Sequence, residues 1–433
     1  MFIFDRIRNS AYKDQFVDSA YLVVLQGVNY ILPLVIIPYL LVTLGADKYG
    51  YIGFATGYSY YFYNIIDFGF NLSATKQIAI SFQTKNYLEL NKTFFSVLYA
   101  KLILFVFSSI IYFSLLFIVN PFRQYSMTVL CMYPLIIGNT FTFTWLFQGI
   151  GKIKVISTIN SITKFLVLPL TFFFVRSESD YNMAALIQSL VFVVAALLSC
   201  VFLEREKIIH YTKVDLNDIK NSFKDSWPLF LSSAASTIYT SLYTVILAIF
   251  ASPALVGIYS ASDRIVRALC TVLNSTVSQA FYPKVAALSA VNKEDAKDLF
   301  SKLRNLLLSV MVFVFLTIIV FADMIEGLLG DDYNGIALLL RIMSLIPILV
   351  SQSGLYGQMG LIAMGNELSK KSFMKAYWIA APLSIALVTI LSYWAQEVGA
   401  AIALLFTEAL VCGLLIRYYY IDKKKFSFRW MNK

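Results

Sequence analysis

The chain has 433 residues, is 59% hydrophobic and 16% aromatic, and carries only 14% charged residues, against about 25% in soluble domains. So little polar matter cannot build a solvated surface, which excludes a soluble enzyme, a disordered regulator and a secreted disulfide scaffold. The net charge of +10 is spread over short segments between apolar runs, so it does not form the basic face that nucleic acid needs.

A bilayer-spanning helix needs about 20 mostly apolar residues. Twelve such runs are predicted, at 17–44, 49–72, 93–119, 126–149, 154–174, 181–203, 226–250, 254–282, 303–322, 334–363, 376–394 and 398–420. They are continuous, without the period-two alternation of a β-barrel. The expected fold is therefore an all-α polytopic membrane protein of about twelve transmembrane helices. The first run starts near Val17 and continues past the length of a signal h-region without a small-residue cleavage site, so no cleavable leader is expected.

Lysine and arginine set the orientation. With the N-terminus inside, the inner segments hold 27 cations and the outer loops only Lys48, Arg123 and Arg176. Both termini are expected in the cytoplasm, and a missed span would scramble this alternation. The connectors are too short for an extramembrane domain. Cys131, Cys200, Cys270 and Cys412 form no CxxC pair, and His210 is the single histidine. Metal sites and hydrolase triads are hard to build from that set, so no metal, cofactor or catalytic residue is expected.

Sliding the chain by 207 residues aligns FVDSAYL with FKDSWPL, Ile31 with Ile238 and Gly50 with Gly257. An offset of six spans keeps both halves in one orientation, which is a parallel repeat about an axis along the membrane normal. Two six-helix lobes are expected, 1–207 and 208–433. Chance similarity between apolar helices is the competing account.

Polar residues recur inside the spans. Asn64, Asp67 and Asn71 share a helix face by their spacing, and Thr271, Asn274 and Ser278 are their repeat counterparts. Gln26, Asn29, Ser233, Ser236, Thr237, Thr240 and Thr244 add to the stripe. Polar groups at this depth face protein or water, so the matched stripes point to a water-filled cavity; interhelical hydrogen bonding is the alternative.

Five cations lie within spans: Lys101, Lys164, Arg264, Arg267 and Arg341. A charge at mid-bilayer costs roughly 2.5–3.5 kcal/mol even on the lenient insertion scale. Lys101, near an inner end, can snorkel. Asp263 and Arg267 stand four apart and can pair, which leaves Arg264, Arg341 and Lys164 without an evident partner. An excess of cations at depth implies an anionic substrate, and guanidinium is suited to phosphate. The candidate substrate-binding residues are Arg264, Arg267, Arg341, Lys164, Asn274 and Asn64. Asp67, Asp263 and Glu408 are the acids at depth. Pro33 and Pro38 would kink the first span, and Pro347 the tenth, which makes them gate candidates or packing features.

The strings LGADKYGYIGFA (44–55), DFGFNLSATKQIA (67–79), WLFQGIGKIK (145–154), VGIYSASDRIVRAL (256–269) and AFYPKVAAL (280–288) carry a resemblance. In this order the chain resembles the O-antigen and polysaccharide-unit flippases of the multidrug/oligosaccharidyl-lipid/polysaccharide exporter superfamily. The resemblance implies a transporter that moves undecaprenyl-diphosphate-linked oligosaccharide from the inner to the outer leaflet of a bacterial inner membrane by alternating access, drawing on an ion gradient. It implies a cationic central cavity, which Arg264 and Arg267 match by motif and Arg341 and Lys164 by depth and charge. It makes Asp67, within its motif, a coupling candidate; Asp263 and Glu408 are further ones. Membrane lipids and other polysaccharide-assembly proteins are the expected partners, and nucleic acid is not. A drug or organic-cation exporter of the same superfamily would want acidic cavity residues more than basic ones. A membrane glycan polymerase or ligase would need a catalytic constellation, commonly on a large outer loop.

Overall fold

A computed structural model describes the backbone of residues 10–431. Within it the side chains of 10–31, 33–34, 153, 206, 228, 231–236, 238–240, 271–273, 275–276, 279–280, 283, 290, 367 and 422–431 are not described. Gln26, Asn29, Pro33, Ser233, Ser236, Thr240 and Thr271 thus lie, as side chains, outside the described set.

The described chain is helical, without strands. Helix α1 runs Ser10–Asp67, α2 Phe70–Gln83, α3 Tyr87–Ile118, α4 Ser126–Met132, α5 Pro134–Phe141, α6 Thr144–Gly149, α7 Ile153–Phe174 and α8 Tyr181–Glu206. Then come α9 Leu216–Phe250, α10 Pro253–Val291, α11 Lys293–Leu329, α12 Ile336–Met343 and α13 Ile346–Gly354. A π-helical stretch, Leu355–Ala363, leads to α14, Glu367–Met431.

The helix starts follow from the sequence. Asn86 Oδ1 accepts the Glu89 amide at 3.2 Å ahead of α3, and Asn292 Oδ1 accepts the Glu294 amide at 2.9 Å ahead of α11, each satisfying an orphan N-terminal donor. Pro253 opens α10, where its missing N–H costs nothing.

Two predicted loops are almost absent. The first and second spans are one helix, α1, kinked at Gly45 (φ 65°, ψ 170°), a conformation open to glycine. The last two spans are one helix, α14, kinked at Ala395 and Gln396. Other spans are broken. The second ends at Asp67, because Phe68 (φ 47°) and Gly69 (φ 76°) adopt left-handed backbone, and α2 restarts the helix. The single helix face expected for Asn64, Asp67 and Asn71 is therefore interrupted. The fourth span is α4–α6, bent by 41° between its two parts. The tenth is α12, α13 and the π-helical stretch, with Pro347 in the first turn of α13.

Six described helices are long and apolar enough to cross a membrane, seven with the bent pair counted as one. The predicted twelve-span layout counts both segments of α1, then α9 and α10, and takes α14 as two spans. On α10, Asp263, Arg264 and Arg267 crowd one stretch; polar residues depress the apolarity where function is expected. The protein is an all-α polytopic membrane protein.

The chain divides into two compact units. The first holds residues 1–39, 62–119 and 126–230. In it α2 packs on α3 and α6, and α8 on α4, α5 and α7, around Phe70, Ile78, Phe94, Trp145 and Phe147, all under 3% exposed. The second holds 40–61, 120–125 and 231–433. In it α10, α11, α13 and α14 surround Phe300, Leu303, Met311, Met359 and Leu415. Phe54 stacks on Tyr125, centroids 4.2 Å apart, and the Tyr333 hydroxyl donates to the Leu41 carbonyl at 3.2 Å.

Candidate substrate and coupling site

In the second unit, α10 crosses the 46–61 segment of α1 at very short range. A Cβ on Gly50 would stand 1.8 Å from the Pro253 carbonyl oxygen, and one on Gly257 would stand 1.8 Å from the Ala46 carbonyl oxygen. A Cβ on Gly53 would meet the Ser260 hydroxyl at 2.3 Å. The 207-residue offset exchanges the first two contacts and relates Gly53 to Ser260, so the crossing is self-complementary, as at a two-fold axis.

Arg264 lies one turn past Ser260. Its side chain is half-buried, its guanidinium carbon 5.8 Å from the Tyr49 ring centroid, a cation–π distance. Its Nη2 reaches Thr56 Oγ1 at 3.4 Å, a long hydrogen bond. Tyr49 is fully buried. Among the described residues no carboxylate pairs with Arg264, so its charge is available to an anion. Tyr49 and Thr56 were not singled out in the sequence; both lie within or beside the 44–55 motif, and the repeat offset that maps Gly57 onto Arg264 points to this segment.

One turn on, Arg267 Nε donates to Asp263 Oδ1 at 2.8 Å, so the pairing anticipated from the spacing forms. Glu408 of α14, 3% exposed, stands within electrostatic reach of both. Its neighbour Thr407 shares a 2.7 Å hydrogen bond with the buried Tyr243 hydroxyl, which also donates to the Ala403 carbonyl at 3.3 Å. The Asp263–Arg267 pair of α10 and Glu408 of α14, far apart in sequence, thus act on one another.

The other candidates are placed differently. Arg341 is not without a partner: its Nη2 pairs with Asp323 Oδ2 of α11 at 2.5 Å, and both side chains are exposed. The two ends meet because α12 packs along α11. Asn274 is half-buried on α10. Ser278 donates to Gln358 Oε1 at 2.7 Å. Pro347 is buried and Pro38 exposed.

In the first unit, Lys164 is exposed on α7 and has no hydrogen bond or ion pair among the described residues. Asn64 and Asp67 are half-buried. Asp67 Oδ1 accepts Asn71 Nδ2 at 2.5 Å across the Phe68–Gly69 break. Lys101 does not snorkel. It is 1% exposed, and its Nζ donates to the Asn139 carbonyl at 3.0 Å. Its mid-helix position conceals a polar partner that only packing supplies.

A polar cavity of about 460 Å³ also opens in this unit between α2, α3 and the start of α9. Lys92 pairs there with Asp218 at 3.0 Å, and Gln77 donates to Asp225 at 2.8 Å. The Asp215 amide and the Lys92 ammonium, both bonded to Asp218, hold its carboxyl below the ordinary carboxylate range. Glu89 and Lys224 complete a lining of mixed charge.

The model of a family described as "Polysaccharide biosynthesis protein" matches residues 17–289. The chain belongs to this family. It is 31% identical over 399 residues to a protein of Escherichia coli (strain K12) named "Putative O-antigen transporter", covering 92% of this chain and 95% of that one. A protein of the same name from Shigella dysenteriae is 26% identical over 403 residues, covering 92% and 98%. Among solved structures, the inward-facing conformation of a multidrug resistance MATE family transporter of the MOP superfamily is similar, with a TM-score of 0.74 and 14% identity over 92% of this chain and 94% of that one. The lipid II flippase MurJ, in an inward closed conformation, has a TM-score of 0.71 and 13% identity over 93% and 89%. At those identities the likeness concerns the fold, which agrees with the all-helical, multi-span architecture.

Proposed function

We propose that this transporter of the polysaccharide biosynthesis family is a flippase for undecaprenyl-diphosphate-linked oligosaccharide. It would move an O-antigen or related repeat unit from the cytoplasmic to the periplasmic leaflet of a bacterial inner membrane, with both termini cytoplasmic. The two six-helix lobes, 1–207 and 208–433, would alternate access. One observation carries the reading: Arg264, deep in a span, has no carboxylate partner among the described residues, while Tyr49 and Thr56 hold its side chain. A charge is kept at that depth only for a function. Arg264 and Arg267 would take the diphosphate, Asn274, Asn64 and Lys164 would add polar contacts, and the prenyl tail would stay in lipid. Arg341 is already committed to Asp323. Asp67, Asp263 and Glu408 are the coupling residues of this reading, and Pro33, Pro38 and Pro347 its hinges. Membrane lipids and other polysaccharide-assembly proteins would be its neighbours. The short connectors between the described helices agree with transport rather than polymerisation.

The direct test deletes the gene and follows undecaprenyl-linked oligosaccharide with a leaflet-specific probe. Accumulation on the inner face with loss of surface polymer, both restored by the gene, is the expected result. Normal distribution, with no second flippase present, overturns it. A second reading, export of organic cations, is favoured by the two acids, Asp263 and Glu408, around the single Arg267. Drug resistance on overexpression with unchanged polysaccharide would select it.

A further inference from the structure

The polar cavity between α2, α3 and the start of α9 has two unanswered hydroxyls at its floor. Ser81, in the last turn of α2, is 5% exposed, and Thr93, in the second turn of α3, is 6% exposed; both line the cavity. Neither hydroxyl has a hydrogen-bond partner among the described residues, although buried polar side chains are normally paired. The walls, by contrast, are fixed by pairs. Gln77 donates to Asp225 Oδ2 at 2.8 Å and leaves Oδ1 open. Lys92 holds Asp218 Oδ1 at 3.0 Å, and the Asp215 amide takes Oδ2 at 3.0 Å. Ser96 and Ser222 donate to carbonyls one turn back and keep their lone pairs for a ligand. At the rim, Asn221 and Lys224 have no hydrogen bond or ion pair among the described residues.

The chemistry of this lining selects among ligands. The carboxylates Glu89, Asp218 and Asp225 outnumber the ammoniums Lys92 and Lys224, so an anion is opposed. A metal cation needs several free oxygen ligands, yet both Asp218 oxygens are engaged and an ammonium stands against one of them. Ile80 is the apolar residue of the lining, so an apolar ligand finds no wall to bury against. A polyhydroxylated ring fits. Each of its hydroxyls both donates and accepts, as hydroxyls, amides and an open carboxylate oxygen require. The volume of about 460 Å³ falls within the roughly 300–1,000 Å³ of small-molecule sites.

We propose that this cavity is a docking subsite for a sugar of the lipid-linked oligosaccharide, with Ser81 and Thr93 as its hydroxyl contacts. In the orientation proposed above, the end of α2 and the starts of α3 and α9 face the cytoplasm, the side from which the substrate is taken. The role in transport rests on the flippase reading; the binding itself does not.

The purified full-length protein is placed in lipid nanodiscs, free of glycoside detergents that would compete. It is titrated calorimetrically with the oligosaccharide released by mild acid from the cell's own lipid-linked intermediates. Saturable binding is expected. Ser81→Ala and Thr93→Val should each weaken it about 2- to 10-fold, the worth of one neutral hydrogen bond. Thr389→Val, whose hydroxyl donates to the Ile385 carbonyl in the second unit, should bind as wild type. No binding to wild type overturns the proposal, and this arm stands even if a variant does not fold. Equal binding by wild type, Ser81→Ala and Thr93→Val also overturns it. So does displacement of the oligosaccharide by inorganic pyrophosphate, the mark of an anion site, or tighter binding of UDP-glucose, the mark of a nucleotide-sugar site. The flippase reading fails separately, if the deletion strain keeps its lipid-linked oligosaccharide in the normal leaflet distribution while the titrations still show binding.

Discussion

Gly50 and Gly257 meet backbone to backbone: each would drive a Cβ to 1.8 Å from the carbonyl four residues before its partner, at Pro253 and Ala46. The two are repeat counterparts, so a weak sequence repeat and a tight helix crossing explain each other. Such an approach lets helices associate in lipid, where no hydrophobic force drives them together. The crossing also fixes Arg264, which lies two turns past Gly257 on the same helix.

Gly50→Val or Gly257→Val should destabilise the detergent-solubilised protein by about 1–3 kcal/mol or more, as overpacking does. Either should abolish complementation of surface polysaccharide. Gly327→Ala, where a Cβ meets nothing within 4 Å, is the control and should melt as wild type. An undisturbed melting curve for Gly50→Val would refute the crossing.

Arg264→Ala should weaken substrate capture by about 10- to 150-fold, the worth of a charge-assisted hydrogen bond of about 1.5–3 kcal/mol. Its melting temperature should hardly move, since no ion pair is broken. Arg264→Lys should recover only part of the loss, because an ammonium lacks the two-pronged grip. Binding of a prenyl-diphosphate analogue to the purified variants checks this, and equal affinities would remove Arg264 from the site.

Arg341→Ala should leave transport near wild type and cost under about 1 kcal/mol, as expected of an exposed pair. A loss of surface polysaccharide as deep as that of Arg264→Ala, at normal protein level, would return Arg341 to the substrate path.

Asp218→Asn should destabilise the protein at neutral pH and matter less in acid. The carboxyl is held below its ordinary range in the folded state, so its contribution is present above the unfolded value of about 3.9 and is lost as pH falls through the folded value. Melting curves of wild type and variant should therefore converge below about pH 4. A gap that widens in acid would show the opposite sign.

The spans were legible because membrane helices announce themselves by apolar length. Even the kink residues fell where loops were expected, at Gly45 and at Ala395–Gln396. The break at Phe68–Gly69 was not legible, since Phe68 with positive φ is held by its surroundings and not by its own preference. Of the charged candidates, the Asp263–Arg267 pair could be read because four residues make one helical turn. Lys101 could not: its depth suggested snorkelling, and its real partner is a carbonyl orphaned by a distant helix end.

The sequence by itself determined the membrane class, the order of spans and the placing of Arg264 and Arg267 on one helix. These follow from local apolarity and periodicity, which act along the chain. Tertiary structure alone decided which buried charges are answered. Arg341 finds Asp323 across 18 residues, Lys101 finds the Asn139 carbonyl across 38, and Arg264 lies near Thr56 across 208, with no carboxylate partner among the described residues. Compensation of a charge depends on what packing brings within a few ångströms, and no local pattern encodes that distance.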